Sequence, residues 1–176
     1  MIEVIHAAPR GATLTKRGVL TVAPKENCSE EQSPEKRIKV GRMPISFDEK
    51  DLEGTIQPHN DALVVTAWIS GFLVKRVMID QGSGVDVMYL DLFEGFGLKN
   101  QDLTKYDTSL VSFDEREVIP EGQISLPVNM EGKKVMVTFI VVRSFSPYTV
   151  ILERSWIHTI GAVPSTLHVK VKFPTK

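Results

Sequence analysis

Apolar residues in this chain occur mostly in short runs separated by turn residues, from position 62 onward. Two β-rich runs, 63–69 and 72–79, flank Ser70-Gly71, which is typical of a two-residue hairpin turn. A second hairpin is predicted around Glu131-Gly132 for the same reason. Many short strands with turns between them predict an all-β, barrel-like domain with one or two short helices.

The last strand-like segment, 167–173, alternates apolar and basic residues. Val169, Val171 and Phe173 fall on one side of the predicted strand, and Lys170 and Lys172 fall on the other. Such a two-residue period predicts a strand with one buried face, so the two lysines are expected to face solvent.

The beginning of the chain has a different composition. Residues 16–42 are rich in Lys, Glu, Ser and Pro and show no sustained hydrophobic period. Such a segment buries too little apolar surface to offset the entropy of ordering, which favours a flexible arm or a frayed terminus. We therefore divide the chain into a polar arm or linker, 1–44, and a folded domain, 45–176.

The overall composition limits the function classes that need consideration. Of the 176 residues, 42% are hydrophobic, and the formal net charge is −1. These values indicate a globular domain without the basic surface that nucleic-acid binding requires. The single cysteine excludes an intrachain disulfide. We find no signal peptide and no apolar run of membrane-spanning length, so we expect a soluble, cytoplasmic protein.

The segment VMIDQGS, residues 77–83, suggests chemistry. It places Asp80 at the end of an apolar strand, immediately before a glycine turn. A buried strand rarely ends on an unpaired charge, because burying a carboxylate without partners is costly. The carboxylate therefore either closes an Asx-type turn or serves a reaction.

A second segment, VILERSWIH at 150–158, favours a reaction. In this order the two segments resemble the retropepsins, the aspartic proteases of retroviruses and long-terminal-repeat retrotransposons. HNDALVV at 59–65, DLF at 91–93 and GAVPSTLH at 161–168 are similar to the protease region of plant gypsy-type retrotransposon polyproteins. The resemblance covers about residues 45–174.

The resemblance implies a closed acid-protease barrel and an aspartic endopeptidase that acts on a peptide or polyprotein. The chain contains one Asp-x-Gly sequence, at Asp80, whereas the chemistry needs two carboxylates. An active enzyme would therefore be a homodimer in which each chain contributes one Asp. No cofactor, metal, membrane or direct nucleic-acid partner is implied.

Site residues transfer only where the motifs match. The resemblance implies that Asp80 is catalytic and that Gln81, Gly82 and Ser83 form the active-site turn. The Ser83 hydroxyl could donate to the carboxylate, and Gly82 would let the backbone turn closely. Arg154 would have a structural role that braces the dimer.

The segment 111–126 occupies the place of the family's flap, the hairpin that closes over substrate. The tip of this predicted flap consists of Phe113, Asp114, Glu115 and Arg116.

Three positions depart from the family pattern. Gln81 replaces Thr or Ser, Glu153 replaces Gly, and Glu115 replaces a flap Gly. A buried Glu153 needs a partner, for which Arg154 is the neighbouring candidate. These departures support a second hypothesis, a catalytically degenerate relic that acts as a dimerisation or peptide-binding module.

Other polar and aromatic residues receive simpler interpretations. Asp86 could line the substrate cleft, but a second turn-capping carboxylate is favoured. Trp68 and Trp156 are predicted core residues, since basic residues do not interleave with them. The four histidines lack metal-ligand spacing.

Overall fold

The computed structural model describes residues 2–6, 44–111 and 117–175, whose strands form three sheets. The strands are β1 (Ile2–His6), β2 (Val64–Ile69), β3 (Phe72–Ile79), β4 (Val87–Tyr89), β5 (Leu110–Val111), β6 (Glu117–Val118), β7 (Gly122–Met130), β8 (Lys133–Val142), β9 (Val150–Leu152), β10 (Val163–Ser165) and β11 (Lys170–Pro174). The α-helices are α1 (Leu90–Gly95) and α2 (Arg154–Ile160), and single 3-10 turns occur at Glu49–Leu52 and Asn100–Asp102.

Six strands close into a barrel in the order β2-β3-β9-β4-β8-β7. The hairpins β2–β3 and β7–β8 turn at Ser70-Gly71 and Glu131-Gly132, as predicted. All four turn residues have positive φ, from 43° to 86°, which matches the right-handed twist of a two-residue hairpin. The predicted all-β closed barrel with short helices is therefore confirmed.

Two pairs of neighbouring barrel strands run in parallel, so the carboxyl ends of the strands in each pair lie on the same side of the barrel. Strand β3 pairs in parallel with β9, with Ile79 opposite Leu152. Strand β4 pairs with the other side of β9 in the antiparallel sense and in parallel with β8. The carboxyl ends of β3 and β9 therefore lie side by side, and the chain leaving each one passes close to the other.

The core fills the barrel and the space under α2. Its largest fully buried side chains are Trp156, Phe93, Phe139, Phe173, Leu63, Ile69, Met88 and Leu152. The prediction for Trp156 is confirmed, since only 2% of it is exposed. The prediction for Trp68 is wrong, since 50% of it is exposed. Along the end of β2, burial alternates between Ala67, Trp68 and Ile69, so the indole points outward from the barrel.

A separate antiparallel sheet has the order β1-β11-β10. Val171 and Phe173 of β11 are buried, as the alternation predicted. The expected solvent exposure of the opposite lysines is wrong, because the segment before β2 covers that face. Only 5% of Lys170 is exposed, and its ammonium group donates to the backbone carbonyls of Asp51 and Glu53. Lys172 pairs with the Asp51 carboxylate at 2.7 Å.

The domain boundary at residue 44 remains a prediction, since residues 7–43 lie outside the described part of the chain. At the start of the predicted arm, Ile2–His6 form β1, because these residues pair with Lys170–Pro174 along their whole length. Within the described ranges, no helix has the length and apolar character needed to cross a bilayer.

The two tryptophans provide a matched test of the core. Replacing Trp156 with Ala should lower the free energy of unfolding by about 3–5 kcal/mol, because it leaves a large cavity. Replacing the half-exposed Trp68 with Ala should cost less than about 2 kcal/mol, since much of its surface already contacts water. Denaturant unfolding of both variants measures the difference, and equal losses would contradict this core assignment.

Candidate active site

Asp80 lies at the carboxyl end of β3 and is half-buried. Its backbone N–H continues the parallel ladder by donating to the carbonyl of Leu152 at 2.9 Å. Its carboxylate accepts the backbone N–H of Gly82 at 2.8 Å, which closes an Asx-type turn. The Asx-type turn, one of the two explanations given by the sequence, is therefore present, and it holds the carboxylate in a fixed direction.

The residues after Asp80 shape this turn. A Cβ atom at Gly82 would lie 3.2 Å from the Asp80 carboxylate, so any larger residue would crowd that oxygen. The Ser83 hydroxyl donates to the carbonyl of Val85 at 2.9 Å. The suggested bond from Ser83 to the carboxylate is therefore wrong, because the hydroxyl stabilises the following bend instead.

Gln81 is exposed on the same turn. Its side-chain amide reaches the carbonyl of Pro164 on β10 at 3.5 Å, which is a long hydrogen bond. The contact connects the active-site turn to the sheet β1-β11-β10.

Glu153, at the end of β9, is buried, with 6% of the residue exposed. The sequence suggested Arg154 as its partner, but Arg154 is exposed and begins α2. Instead the Glu153 carboxylate accepts the backbone N–H of Ser155 at 2.8 Å and caps the helix. A carboxylate is favourable there, because the N–H groups of a first helical turn lack partners within the helix.

Asp86 is also 6% exposed and lies directly before β4. Its carboxylate accepts the backbone N–H of Glu153 at 2.9 Å and lies 3.5 Å from the Ser155 hydroxyl. The turn-capping role favoured for Asp86 is not the one observed, because its carboxylate binds the distant N–H of Glu153, 67 positions along the chain. The same residue borders a cavity of about 330 Å³ that Gly84 and Trp156 also line.

The environment of Asp86 changes its acidity. The pKa of this carboxyl is raised from 3.8 to about 6, mainly by burial and to a smaller extent by the nearby charge of Glu153, while the Glu153 N–H and the Ser155 hydroxyl act in the opposite direction. Two buried carboxylates therefore lie next to each other behind the active-site turn.

The predicted flap lies partly outside the described residues. Its base is the two-stranded sheet β5–β6, in which Leu110 pairs with Val118. The tip residues Phe113, Asp114, Glu115 and Arg116 are outside the described part. The predicted end at 126 is wrong, because residues 122–126 belong to β7 and pair with β8.

Solved structures share the fold of this chain. The chain is similar to the retroviral protease-like domain of Ddi1 from Leishmania major, with 20% identity over 67% of this chain and 92% of that chain, at a TM-score of 0.53. It is also similar to EIAV protease complexed with the inhibitor HBY-793, with 14% identity over 62% and 98% of the two chains, at a TM-score of 0.50. The chain has a retropepsin-like fold.

A retropepsin-like aspartic protease from Rickettsia conorii matches with 17% identity over 62% of this chain and 80% of that chain, at a TM-score of 0.49. No protein-family model matches the chain, and no curated protein matches it. Within the described residues, no group of three or more His, Cys, Asp or Glu side chains could hold a metal ion.

The contact between Asp86 and Glu153 is not predictable from local sequence patterns. The two residues are 67 positions apart, and only the antiparallel pairing of β4 with β9 brings them together. Only the position of Glu153 has a local sequence pattern: a polar side chain that can accept a hydrogen bond, directly before a short helical segment, indicates an N-cap.

The pKa of Asp86 predicts a pH-dependent stability. Because the folded pKa of about 6 exceeds 3.8, the native state binds more protons between these values, and this carboxyl's contribution to stability falls as pH rises. Asp86→Asn keeps an acceptor for Glu153 but does not titrate. Its melting temperature relative to wild type should therefore rise from about pH 4 to pH 7. A constant difference would contradict this assignment, and the exposed Asp91→Asn serves as control.

Proposed function

We propose that this protein is an aspartic endopeptidase of the retropepsin type. One observation carries the proposal: within a retropepsin-like fold, Asp80 follows the buried Ile79 at the end of a barrel strand, and a glycine turn fixes its carboxylate. The Asp-Gln-Gly sequence at this point is also the position at which the sequence resemblance expects the catalytic residue.

The proposed reaction needs two carboxylates that share one proton. The ionised carboxylate accepts a proton from a water molecule, which attacks the peptide carbonyl, while the protonated carboxyl donates a hydrogen bond to the carbonyl oxygen. Each chain supplies one Asp-x-Gly turn. The active form in this proposal is therefore a homodimer with Asp80 of each chain at the two-fold axis.

Other residues would support this arrangement. Gly82 leaves space beside the carboxylate, and Ser83 stabilises the bend that follows. The hairpin based on β5–β6 would act as the flap, with Phe113, Asp114, Glu115 and Arg116 at its tip. Arg154, which is exposed at the start of α2, would brace the dimer.

The substrate in this proposal is a peptide segment of a polyprotein. The segments HNDALVV and GAVPSTLH support a plant gypsy-type retrotransposon polyprotein as the source of the chain and its substrate. Such an enzyme would act in the cytoplasm, without a cofactor and without binding a membrane or nucleic acid directly.

A second candidate is a catalytically degenerate member of the same fold that dimerises or binds peptides. Gln81 favours it, because its exposed side chain makes only a 3.5 Å contact with Pro164 where the family pattern has a short hydroxyl residue. This candidate predicts a folded protein that binds peptides without cleaving them.

Mixing active and inactive chains tests the proposal. Asp80→Asn should lower cleavage of a diverse peptide library by at least about a thousandfold, since the two carboxylates act as a unit. A ninefold excess of Asp80→Asn chains, exchanged into wild type, should lower the activity per wild-type chain to about a tenth, because about nine in ten wild-type chains then have a variant partner and form a dimer with a single Asp at the site. An equal excess of Asp91→Asn, which alters an exposed residue of α1, should have no such effect.

Two results would contradict the proposal. Cleavage that persists in purified Asp80→Asn would assign the reaction to other residues. Peptide binding by folded wild type without cleavage at any pH from 4 to 7 would favour the degenerate module.

A further inference from the structure

One peptide group connects the active-site turn to the buried carboxylate of Asp86. The carbonyl of Leu152 accepts the backbone N–H of Asp80 at 2.9 Å. The N–H of Glu153 belongs to the same peptide group and donates to the Asp86 carboxylate at 2.9 Å. In a trans peptide the C=O and N–H bonds lie in one plane and point in opposite directions, so the Asp80 N–H and the Asp86 carboxylate bind opposite edges of one rigid peptide group.

Asp86 is itself held firmly. Its backbone carbonyl accepts the N–H of Ile140 at 2.8 Å, which fixes it against β8. Its side chain is buried and directed toward the start of α2, where it approaches the Ser155 hydroxyl. A buried group with fixed partners can determine the position of the peptide it binds, because any movement would leave polar atoms unpaired.

We propose that Asp86 is a positioning residue for Asp80, acting through the peptide group between Leu152 and Glu153. The catalytic importance of this role rests on the proposed aspartic protease function. Asp86 does not touch the substrate in this account. It fixes the strand end against which the catalytic carboxylate is placed.

The proposal gives the active-site turn a dependence on pH. Burial raises the pKa of Asp86 to about 6. Among the described residues around the Asp86 cavity, the titratable groups are Glu153 at the start of α2 and Tyr106 from the loop before β5, while β8 presents uncharged side chains there. Glu153 is therefore the charge that acts on Asp86 from the helix side.

Protonation changes the hydrogen bond that Asp86 makes. An ionised carboxylate is a strong acceptor and polarises the peptide group, which makes the Leu152 carbonyl a better acceptor for the Asp80 N–H. A neutral carboxyl accepts more weakly, so both bonds should lengthen together. The backbone of Asp80 should thus respond to a proton bound on the far side of β9.

Backbone amide chemical shifts, measured by NMR against pH, test this coupling directly. The experiment uses Asp80→Asn, which retains the backbone N–H at position 80 and removes that residue's own titration. The amides of residue 80 and Glu153 should titrate together with a midpoint near pH 6. In Asp80→Asn/Asp86→Asn both transitions should disappear.

A second double variant separates Asp86 from its neighbour. In Asp80→Asn/Glu153→Gln the two amides should still titrate together, with a lower midpoint, because the repelling charge has been removed. An Asp80→Asn/Asp91→Asn control should titrate like Asp80→Asn alone. If either double variant unfolds, Asp80→Asn/Ser155→Ala provides the comparison, because it removes only the 3.5 Å contact of the Ser155 hydroxyl with Asp86. The midpoint of the amide titration should then rise, since that hydroxyl lowers the pKa of Asp86.

The outcomes are decisive whether or not the protein cleaves peptides, since the readout comes from a chain without the catalytic Asp. Titration of Glu153 without residue 80 would overturn the proposal. So would a transition at residue 80 that survives Asp86→Asn and disappears with Glu153→Gln. In wild type, kcat/KM plotted against pH should show an inflection near pH 6 that is missing in Asp86→Asn. A complete absence of cleavage would count only against the proposed function.

Discussion

The parallel pairing of β3 with β9 is the constraint on which the candidate site depends. It places Ile79 opposite Leu152, so the chain that leaves β3 must turn beside the chain that leaves β9. Burial of the paired strand ends stabilises this pairing, since Val77, Val150 and Leu152 are fully buried. The position of Asp80 therefore follows from packing in the barrel, and the glycine turn only directs its carboxylate.

The same constraint explains how a carboxylate is tolerated at position 153. The end of β9 is also the start of α2, and the unpaired N–H groups of that first turn are partners for anionic side chains. Glu153 takes one such N–H, and Asp86 takes the N–H of Glu153 itself. The buried carboxylates are thus bound by backbone donors, and burial together with the repulsion from Glu153 raises the pKa of Asp86.

Short-range patterns in the sequence predicted much of the fold. Both hairpins, the short helices and the buried face of β11 follow from turn residues and hydrophobic period, which are local properties. The exposed Trp68, the covered Lys170 and the Asp86–Glu153 contact were not predictable in this way. Each depends on which distant segment lies against the residue, for example the segment around Asp51 that covers Lys170.

The central claim is that one chain holds half of an active site. Its most direct test is the specific cleavage activity measured over a wide range of protein concentration, with the dimer fraction determined in parallel by analytical ultracentrifugation. We expect the specific activity to rise with concentration and to saturate in step with the dimer fraction. A specific activity that stays constant down to concentrations at which the protein is monomeric would contradict the account.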